Sequence, residues 1–373
     1  MALQTGGSTP PPASAVASAE TAAMDAALSL ALRGPAHGPN PRVGCVLLAP
    51  DGRRLAEGWH HGAGTPHAEA AAVAAARAAG VDLTGATAVV TLEPCAHTGR
   101  TGPCADLLVA AGVARVVHAV DDPNPEAAGG AARLRAAGVD VVGGVRREAG
   151  EALLRIWLHA VRTGRPFVTL KLAASLDGRV AAADGTSRWI TSSAAREHAH
   201  TVRTQVDAIA VGTGTALVDD PALTARTPEG EHAAHQPLRV VIGRRDVPRD
   251  SRLHGPGGEL VHLATHDLPA ALDHLAARDV RHLLVEGGPG LATAFLRSGL
   301  VDEVHAYVAP VLLGAGRSAV GDLGIGTIDA ALRLHTTDVR TLGPDVLVVA
   351  EVLAARAAQD EPAAAAGPLM KES

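Results

Sequence analysis

Aromatic residues are almost absent from this chain, with two Phe, one Tyr and three Trp among 373 residues. Proteins that grip single-stranded nucleic acid stack bases on such rings, so that class is disfavoured. Basic residues are not in excess either, since 33 Lys and Arg face 39 Asp and Glu, for a formal charge of -6. The clustered positive footprint of a nucleic-acid binder is therefore missing. Cysteine is scarce and odd in number (Cys45, Cys95, Cys104), unlike the even, dense frameworks that staple small secreted domains. The first twenty residues hold no Lys or Arg ahead of an apolar core, and the alanine-rich stretches are broken by charges before they reach membrane-spanning length. A reducing, cytoplasmic setting without membrane or nucleic-acid partners is expected. No repeat of fixed period is visible.

What the chain does have is length and apolar content. At 373 residues, 47% hydrophobic and 19% charged, it is about twice the usual domain size and reads as two globular α/β units acting on a small molecule. Residues 1–19 and 354–373 are Ser, Pro, Gly and Ala with little to bury, and read as disordered tails. A helix is expected from Glu20 to Arg33, then a hairpin around Pro50-Asp51-Gly52. Helices over 67–79 and about 105–111 alternate with strands over 87–92 and 115–120, and a last helix and strand end near Val142. This alternation predicts a three-layer α/β/α unit over 20–145. Residues 146–165 form a connector helix, through Ala149, Leu153, Ile156 and Val161. A second alternation fills 166–353, with different motifs, so the halves are a fusion of two functions.

In the first half His67-Ala68-Glu69 precedes a strand, which leads to Pro94-Cys95 and, after eight further residues, Cys104. One imidazole and two thiolates give zinc three protein ligands and leave the fourth tetrahedral position open, the arrangement of catalytic zinc. Water at such a position has a pKa near ~7. Glu69, two residues after His67 at a helix start, projects beside the metal without ligating it and suits a proton shuttle. The helix N-termini after Pro94 and Pro103 favour thiolate. Cys45, inside VGCVLL, reads as core.

The motifs Pro39-Asn40-Pro41-Arg42-Val43-Gly44, Pro66 to Glu69 and Leu92 to Cys104 resemble the deaminase half of the bifunctional riboflavin-biosynthesis family. The resemblance implies a cytidine-deaminase-like fold, and implies that the long excursion between the cysteines, with His97 and Arg100, helps form the pocket for a phosphoribosylamino pyrimidinone. Asn40 would face the base, its amide offering donor and acceptor together.

No G-x-G-x-x-G follows a strand in the second half, so dinucleotide binding rests on other features. Residues 168–190 and 207–226, with Glu286-Gly287-Gly288-Pro289-Gly290, resemble the reductase half of the same family, which has a dihydrofolate-reductase-like fold. The three glycines open a strand-to-helix turn whose backbone N–H groups can hold a pyrophosphate. The resemblance implies NADPH near Ala173, Trp189, Thr215, Asp219 and the run Gly288, Pro289, Gly290, Leu291, Ala292, Thr293 and Ala294. It implies substrate contacts at Ser187, Arg203, Leu223, Arg226 and Glu286. The guanidinium forks of Arg203 and Arg226 suit phosphate. Reduction of the ribosyl chain needs a proton, for which Lys171, Asp177 and Glu286 are candidates. Arg244 and Arg245 follow a strand where they would meet the 2'-phosphate, although Gly243-Arg244 departs from the family's pattern there.

Taken over residues 22–352, the resemblance predicts a bifunctional enzyme, a zinc-dependent pyrimidine deaminase joined to an NADPH-dependent reductase, assembled as a homo-oligomer. The competing reading is a nucleic-acid-editing zinc deaminase with an accessory domain, which the acidic balance and scarce aromatics disfavour.

Overall fold

The computed structural model describes residues 13–97 and 102–353. Helix α1 spans Ala13–Ala31, so it starts earlier than the expected Glu20, and residues 13–19 are helix rather than tail. The reason is propensity. The run Ala-Ser-Ala-Val-Ala-Ser-Ala extends a helix already nucleated on its buried stripe of Ala23, Met24, Ala27 and Leu30. The rest of the expected tails, residues 1–12 and 354–373, lies outside the described residues. Among the described residues no helix is long and apolar enough to cross a membrane.

Strands β1 (Gly44–Leu48) and β2 (Arg54–Trp59) form the expected hairpin. They are followed by α2 (Ala68–Ala78), β3 (Thr87–Leu92), α3 (Cys104–Ala110), β4 (Arg115–Val120), α4 (Gly130–Ala136) and β5 (Asp140–Gly143). The sheet order is β2-β1-β3-β4-β5, with β3, β4 and β5 parallel. Every residue of β3 is buried, as it must be in a strand covered on both faces. One cover consists of α2, α3 and α4, through Ala72, Val73, Leu108 and Leu134. The other consists of α1 and the connector α5 (Arg147–Thr163), through Met24, Leu30, Leu154 and Leu158. These are the three layers expected. Gly58 sets how closely α2 lies on β2, since a Cβ there would sit 2.4 Å from the Ala72 nitrogen.

The second unit contains β6 (Phe167–Ser175), β7 (Arg179–Ala181), α6 (Ser193–Arg203), β8 (Ala208–Gly212), α7 (Thr213–Asp219), β9 (Leu238–Ile242) and β10 (Leu260–Leu263). It continues with α8 (Leu268–Ala276), β11 (His282–Val285), α9 (Pro289–Arg297), β12 (Glu303–Ala309), β13 (Arg317–Ser318), β14 (Leu334–Leu342) and β15 (Asp345–Val352). The main sheet runs β10-β9-β8-β11-β6-β12-β15-β14, parallel from β10 through β12, with β15 and β14 antiparallel. Helices α8 and α9 cover one face through Leu272, Leu275, Ala292 and Phe295. Helices α6 and α7 cover the other through Val202 and Ala216.

Two seams join the units. Helix α5 lies between them, and Arg155 at its middle reaches Glu303 at the start of β12 (2.7 Å). Arg165, just past its end, grips Asp302 with two nitrogens (2.7 and 2.8 Å). At the second seam the loop after α1 meets the second unit. Gly38 N–H donates to Asp207 Oδ1 (2.5 Å), and the rings of His37 and His235 stack 3.5 Å apart.

Beneath the first seam His282 is buried, with Nε2 2.8 Å from Thr169 Oγ1, which also lies 3.4 Å from Glu303. Burial pushes the His282 pKa down to about 3 against the pull of Glu303. The folded imidazole is thus neutral where the unfolded one, near ~6.5, takes up a proton. Its contribution is complete above pH ~6.5 and drains away as the pH falls toward ~3, by up to about 1.4 kcal/mol per pH unit. Urea unfolding between pH 7.5 and 5 is expected to show the second unit losing stability over this range, and His282→Gln to flatten the slope. An unchanged slope would mean that another group carries the dependence.

Candidate functional site

The first site forms where the carboxyl ends of β3 and β4 meet the start of α2, the place where parallel α/β sheets hold ligands. His67 occupies the N-cap position of α2 in extended conformation, and Glu69 lies in the first turn. Cys95 follows β3 and Cys104 opens α3. Their ligand atoms converge: His67 Nδ1 is 3.6 Å from Cys95 Sγ and 3.3 Å from Cys104 Sγ, and all three lie within 4.8 Å of one another. Zinc–sulfur and zinc–nitrogen bonds of about 2.3 and 2.0 Å give tetrahedral edges of about 3.5 Å, so the donor set fits zinc. The Cys104 thiol, followed by His67 and the Cys104 backbone N–H, holds the Cys95 thiol well below its ordinary range. The same pairing raises Cys104.

Glu69 is 4% exposed. Burial pushes its carboxyl up to about 7, against the pull of His67, and a zinc ion beside it would act in the opposite direction. The cavity in front is lined by Asn40, His60, Glu93, His97, Asp122, Asn124 and Trp157. His97 lines this region, and its buried Nδ1 has no hydrogen-bond partner among the described residues. Arg100, expected beside it, lies outside the described residues. Cys45 is fully buried in the core on β1, as read from its apolar neighbours.

Sequence reasoning missed His60, Glu93, Asp122, Asn124 and Trp157. Glu93 is the organiser. It accepts from the backbone N–H groups of Ala131 (2.8 Å) and Asp122 (3.1 Å), fastening the post-β4 loop against α4. Burial raises the Asp122 carboxyl to about 6. The cluster Asp121-Asp122-Pro123-Asn124-Pro125 at a strand's carboxyl end was the available signal. Trp157 is contributed by α5, so the connector is also a wall of this cavity.

The second site lies at the carboxyl ends of β6, β8 and β11. Lys171, Ala173, Ser187, Thr215, Asp219, Glu286, Gly288 and Pro289 line one cleft, and Thr215, Gly288, Pro289, Gly290, Leu291 and Ala294 line its extension. Gly288 N–H donates to Thr215 Oγ1 (3.0 Å), tying α9 to α7. Arg245 borders both parts, with Nε 3.3 Å from Thr213 Oγ1. Arg317, with no sequence signal, borders both as well. Arg244 is exposed and lines neither.

At the floor Glu286 takes Arg203 in a two-point grip (2.7 and 2.8 Å) and Lys171 at 3.2 Å. Burial alone would raise the Glu286 carboxyl, but Arg203 and Lys171 outweigh it and hold it far below the carboxylate range. Arg203 also donates to Thr224 O (3.0 Å), so its fork is committed to protein groups more than a free phosphate clamp would be. Leu223 and Asp220 adopt left-handed backbone (φ 50° and 40°). Such strain persists only when the surroundings over-determine it. Here Asp220 is pinned by Ser251 Oγ and Arg252 N–H, and Ala225 by Gln236.

Several expected contacts fall elsewhere. Ala292 is fully buried in the core under the sheet, because helical spacing turns it away from the cleft that Leu291 and Ala294 face. Thr293 donates to Pro289 O and accepts from Gly321 N–H. Trp189 is 70% exposed under the guanidinium of Arg196 and lines neither part of the cleft. Leu223 is core, and Arg226 donates to Gly230 O in its own loop. Asp177 accepts from Ser175 Oγ, Leu313 N–H and Gly314 N–H, which hold its carboxyl down at about 2. It is an ionised loop anchor with no proton to give.

Comparison with known proteins finds a family match over each half of the chain. The family described as "RibD C-terminal domain" matches residues 166–348, and that described as "Cytidine and deoxycytidylate deaminase zinc-binding region" matches residues 17–120. Riboflavin biosynthesis protein RibD of Mycobacterium tuberculosis is 50% identical over 311 residues, covering 83% of this chain and 90% of that one. The Escherichia coli K12 protein of the same name is 43% identical over 359 residues, covering 87% and 96%. The crystal structure of a Thermotoga maritima diaminohydroxyphosphoribosylaminopyrimidine deaminase/5-amino-6-(5-phosphoribosylamino)uracil reductase matches with a TM-score of 0.81 at 34% identity, covering 90% of this chain and 99% of that one. Acinetobacter baumannii RibD matches with a TM-score of 0.81 at 37% identity, again covering 90% and 99%.

Proposed function

Since this chain belongs to the RibD family of riboflavin biosynthesis, bifunctional proteins that join a zinc deaminase domain to a reductase domain, we propose that it acts on a phosphoribosylaminopyrimidine in two steps. The first hydrolyses the 2-amino group of 2,5-diamino-6-(5-phosphoribosylamino)pyrimidin-4-one. The second reduces the ribosyl chain of the resulting uracil to a ribityl chain. The observation that carries this reading is the convergence of His67, Cys95 and Cys104 beside a buried Glu69 in one cavity.

His67, Cys95 and Cys104 would hold zinc, which when bound lowers the pKa of water and so supplies a nucleophile at neutral pH. Glu69 takes the proton from the attacking water, gives it to the ring nitrogen, and carries a second proton to the departing ammonia. Its burial keeps that traffic out of bulk solvent. Asn40 would meet the base edge, and His97 would bound the same pocket. In the second cleft NADPH would lie along Ala173, Thr215, Asp219 and the turn from Gly288 to Leu291, and it supplies the reducing equivalent. Among the three candidates Lys171 is the proton source, because Glu286 and Asp177 are both held ionised. Glu286 orients Lys171, and Arg245 would face the 2'-phosphate.

The test follows the two products separately. Zinc-loaded protein given the diaminopyrimidinone phosphate without NADPH is expected to release ammonia, and a chelator to stop it. NADPH oxidation is expected only after deamination. Absence of ammonia from zinc-loaded protein would sink the deaminase assignment. Prompt NADPH oxidation under chelation would sink the order.

A further inference from the structure

The Asn40 amide has an acceptor at one end and a donor at the other, and a side chain free to turn over would offer a base either end. A lactam edge, N–H beside C=O, and an amidine edge, ring nitrogen beside NH2, would then both be matched. His60 removes that freedom. It follows β2 at the cavity's edge and is 5% exposed. Its own N–H donates to Val43 O (2.9 Å), and Gly34 lies so close to its carbonyl that a Cβ would come within 2.5 Å. The ring is therefore delivered from a fixed backbone.

Its two nitrogens have different partners. Nδ1 lies 3.0 Å from Pro66 O, which can only accept, so Nδ1 carries the hydrogen. Nε2 of the neutral ring is then an acceptor, and Asn40 Nδ2 stands 3.0 Å away to donate to it. The amide end of Asn40 is turned to His60, which leaves Oδ1 and the second N–H for a ligand.

We infer that His60 is a positioning residue that fixes which way the Asn40 amide faces, and thereby which heterocycle edge the deaminase cavity accepts in a given pose. The inference rests on the reading above that Asn40 meets the base. The chemical class selected is a pyrimidinone whose edge offers a hydrogen to Oδ1 beside an acceptor for the remaining N–H.

Two substitutions separate the contacts of His60. His60→Gln keeps an acceptor near the position of Nε2 and loses the bond to Pro66. His60→Asn keeps a donor near Nδ1 and loses the acceptor. Loss of one such hydrogen bond corresponds to about tenfold in affinity. Steady-state ammonia release is expected to show KM raised roughly tenfold in His60→Asn, with kcat and zinc content close to wild type, while His60→Gln stays near wild-type KM. Asn40→Ala is expected to lose more than either, and Asn40→Ala with His60→Asn to be no worse than Asn40→Ala alone, because His60 acts only through Asn40. His60→Gln as poor as His60→Asn, or losses that multiply in the double variant, would overturn the positioning role and leave the deaminase reading standing. An Asn40→Ala enzyme with unchanged KM would instead overturn the assignment of Asn40 to the base, and the role of His60 with it.

Discussion

Glu69→Gln is expected to stop ammonia release almost completely, by about three to four powers of ten in kcat, while zinc content stays at the wild-type level. The substitution keeps the volume of a side chain that is 4% exposed and removes only its ability to take and return a proton. Three donor atoms within 4.8 Å of one another would hold the metal without it, so metal retention and catalysis are expected to separate. The other carboxylates bordering the cavity are Glu93 and Asp122. Glu93 is occupied by two backbone N–H groups and Asp122 by that of Asn124, so neither replaces Glu69. The measurement is ammonia release without NADPH, with zinc determined on the same sample. NADPH oxidation on the deaminated substrate serves as the control, since its cleft is lined by other residues. A variant within tenfold of wild type would place the base elsewhere.

Glu286→Gln is expected to have the reverse signature, with deamination intact and reduction lost by at least two powers of ten. The side chain is 7% exposed, between Arg203 at 15% and Lys171 at 22%. Removing its charge leaves two neighbouring cations in a poorly solvated floor, and breaking such a buried pair costs about 3–5 kcal/mol. Partial exposure of Lys171 puts this case toward the lower figure. Lys171→Met removes the proposed proton source and one of the cations, so reduction is expected to fall with little loss of stability. Thermal unfolding beside the NADPH assay separates the two. If Glu286→Gln reduced substrate normally, the assignment of Lys171 as a donor oriented by Glu286 would fail.

The candidate zinc cluster was legible because each member sits at a punctuation point of the chain: His67 before a helix, Cys95 after an apolar strand, Cys104 at the next helix start. β3 and β4 were legible from their short, mostly apolar runs, TAVVTL and RVVHAV. β14 was not, because Leu334–Leu342 is an edge strand with mostly exposed polar residues and no period-two contrast. Ala292 was misjudged because a contiguous run was assigned to the cofactor, whereas a helix start offers a cleft only some of its positions. His60 and Trp157 were invisible for a different cause. Each reaches the cavity through a long-range contact, His60 to Asn40 twenty residues back and Trp157 from the connector helix, and no local pattern encodes such a meeting.

The loop after α1 carries three duties within four residues: His37 stacks on His235, Gly38 N–H is held by Asp207, and Asn40 reaches the deaminase cavity. Asp207 uses its other oxygen on the N–H groups of Arg281 and His282, where β11 begins. The two units are therefore not interchangeable cassettes on a string. A deaminase moved onto a foreign reductase would keep its candidate metal ligands and its own core, but the span bearing Asn40 would stay pinned only where that reductase offers a carboxylate in the place of Asp207. In this chain the two positions that hold that span, Asp207 and His235, lie far in sequence from the cavity Asn40 lines.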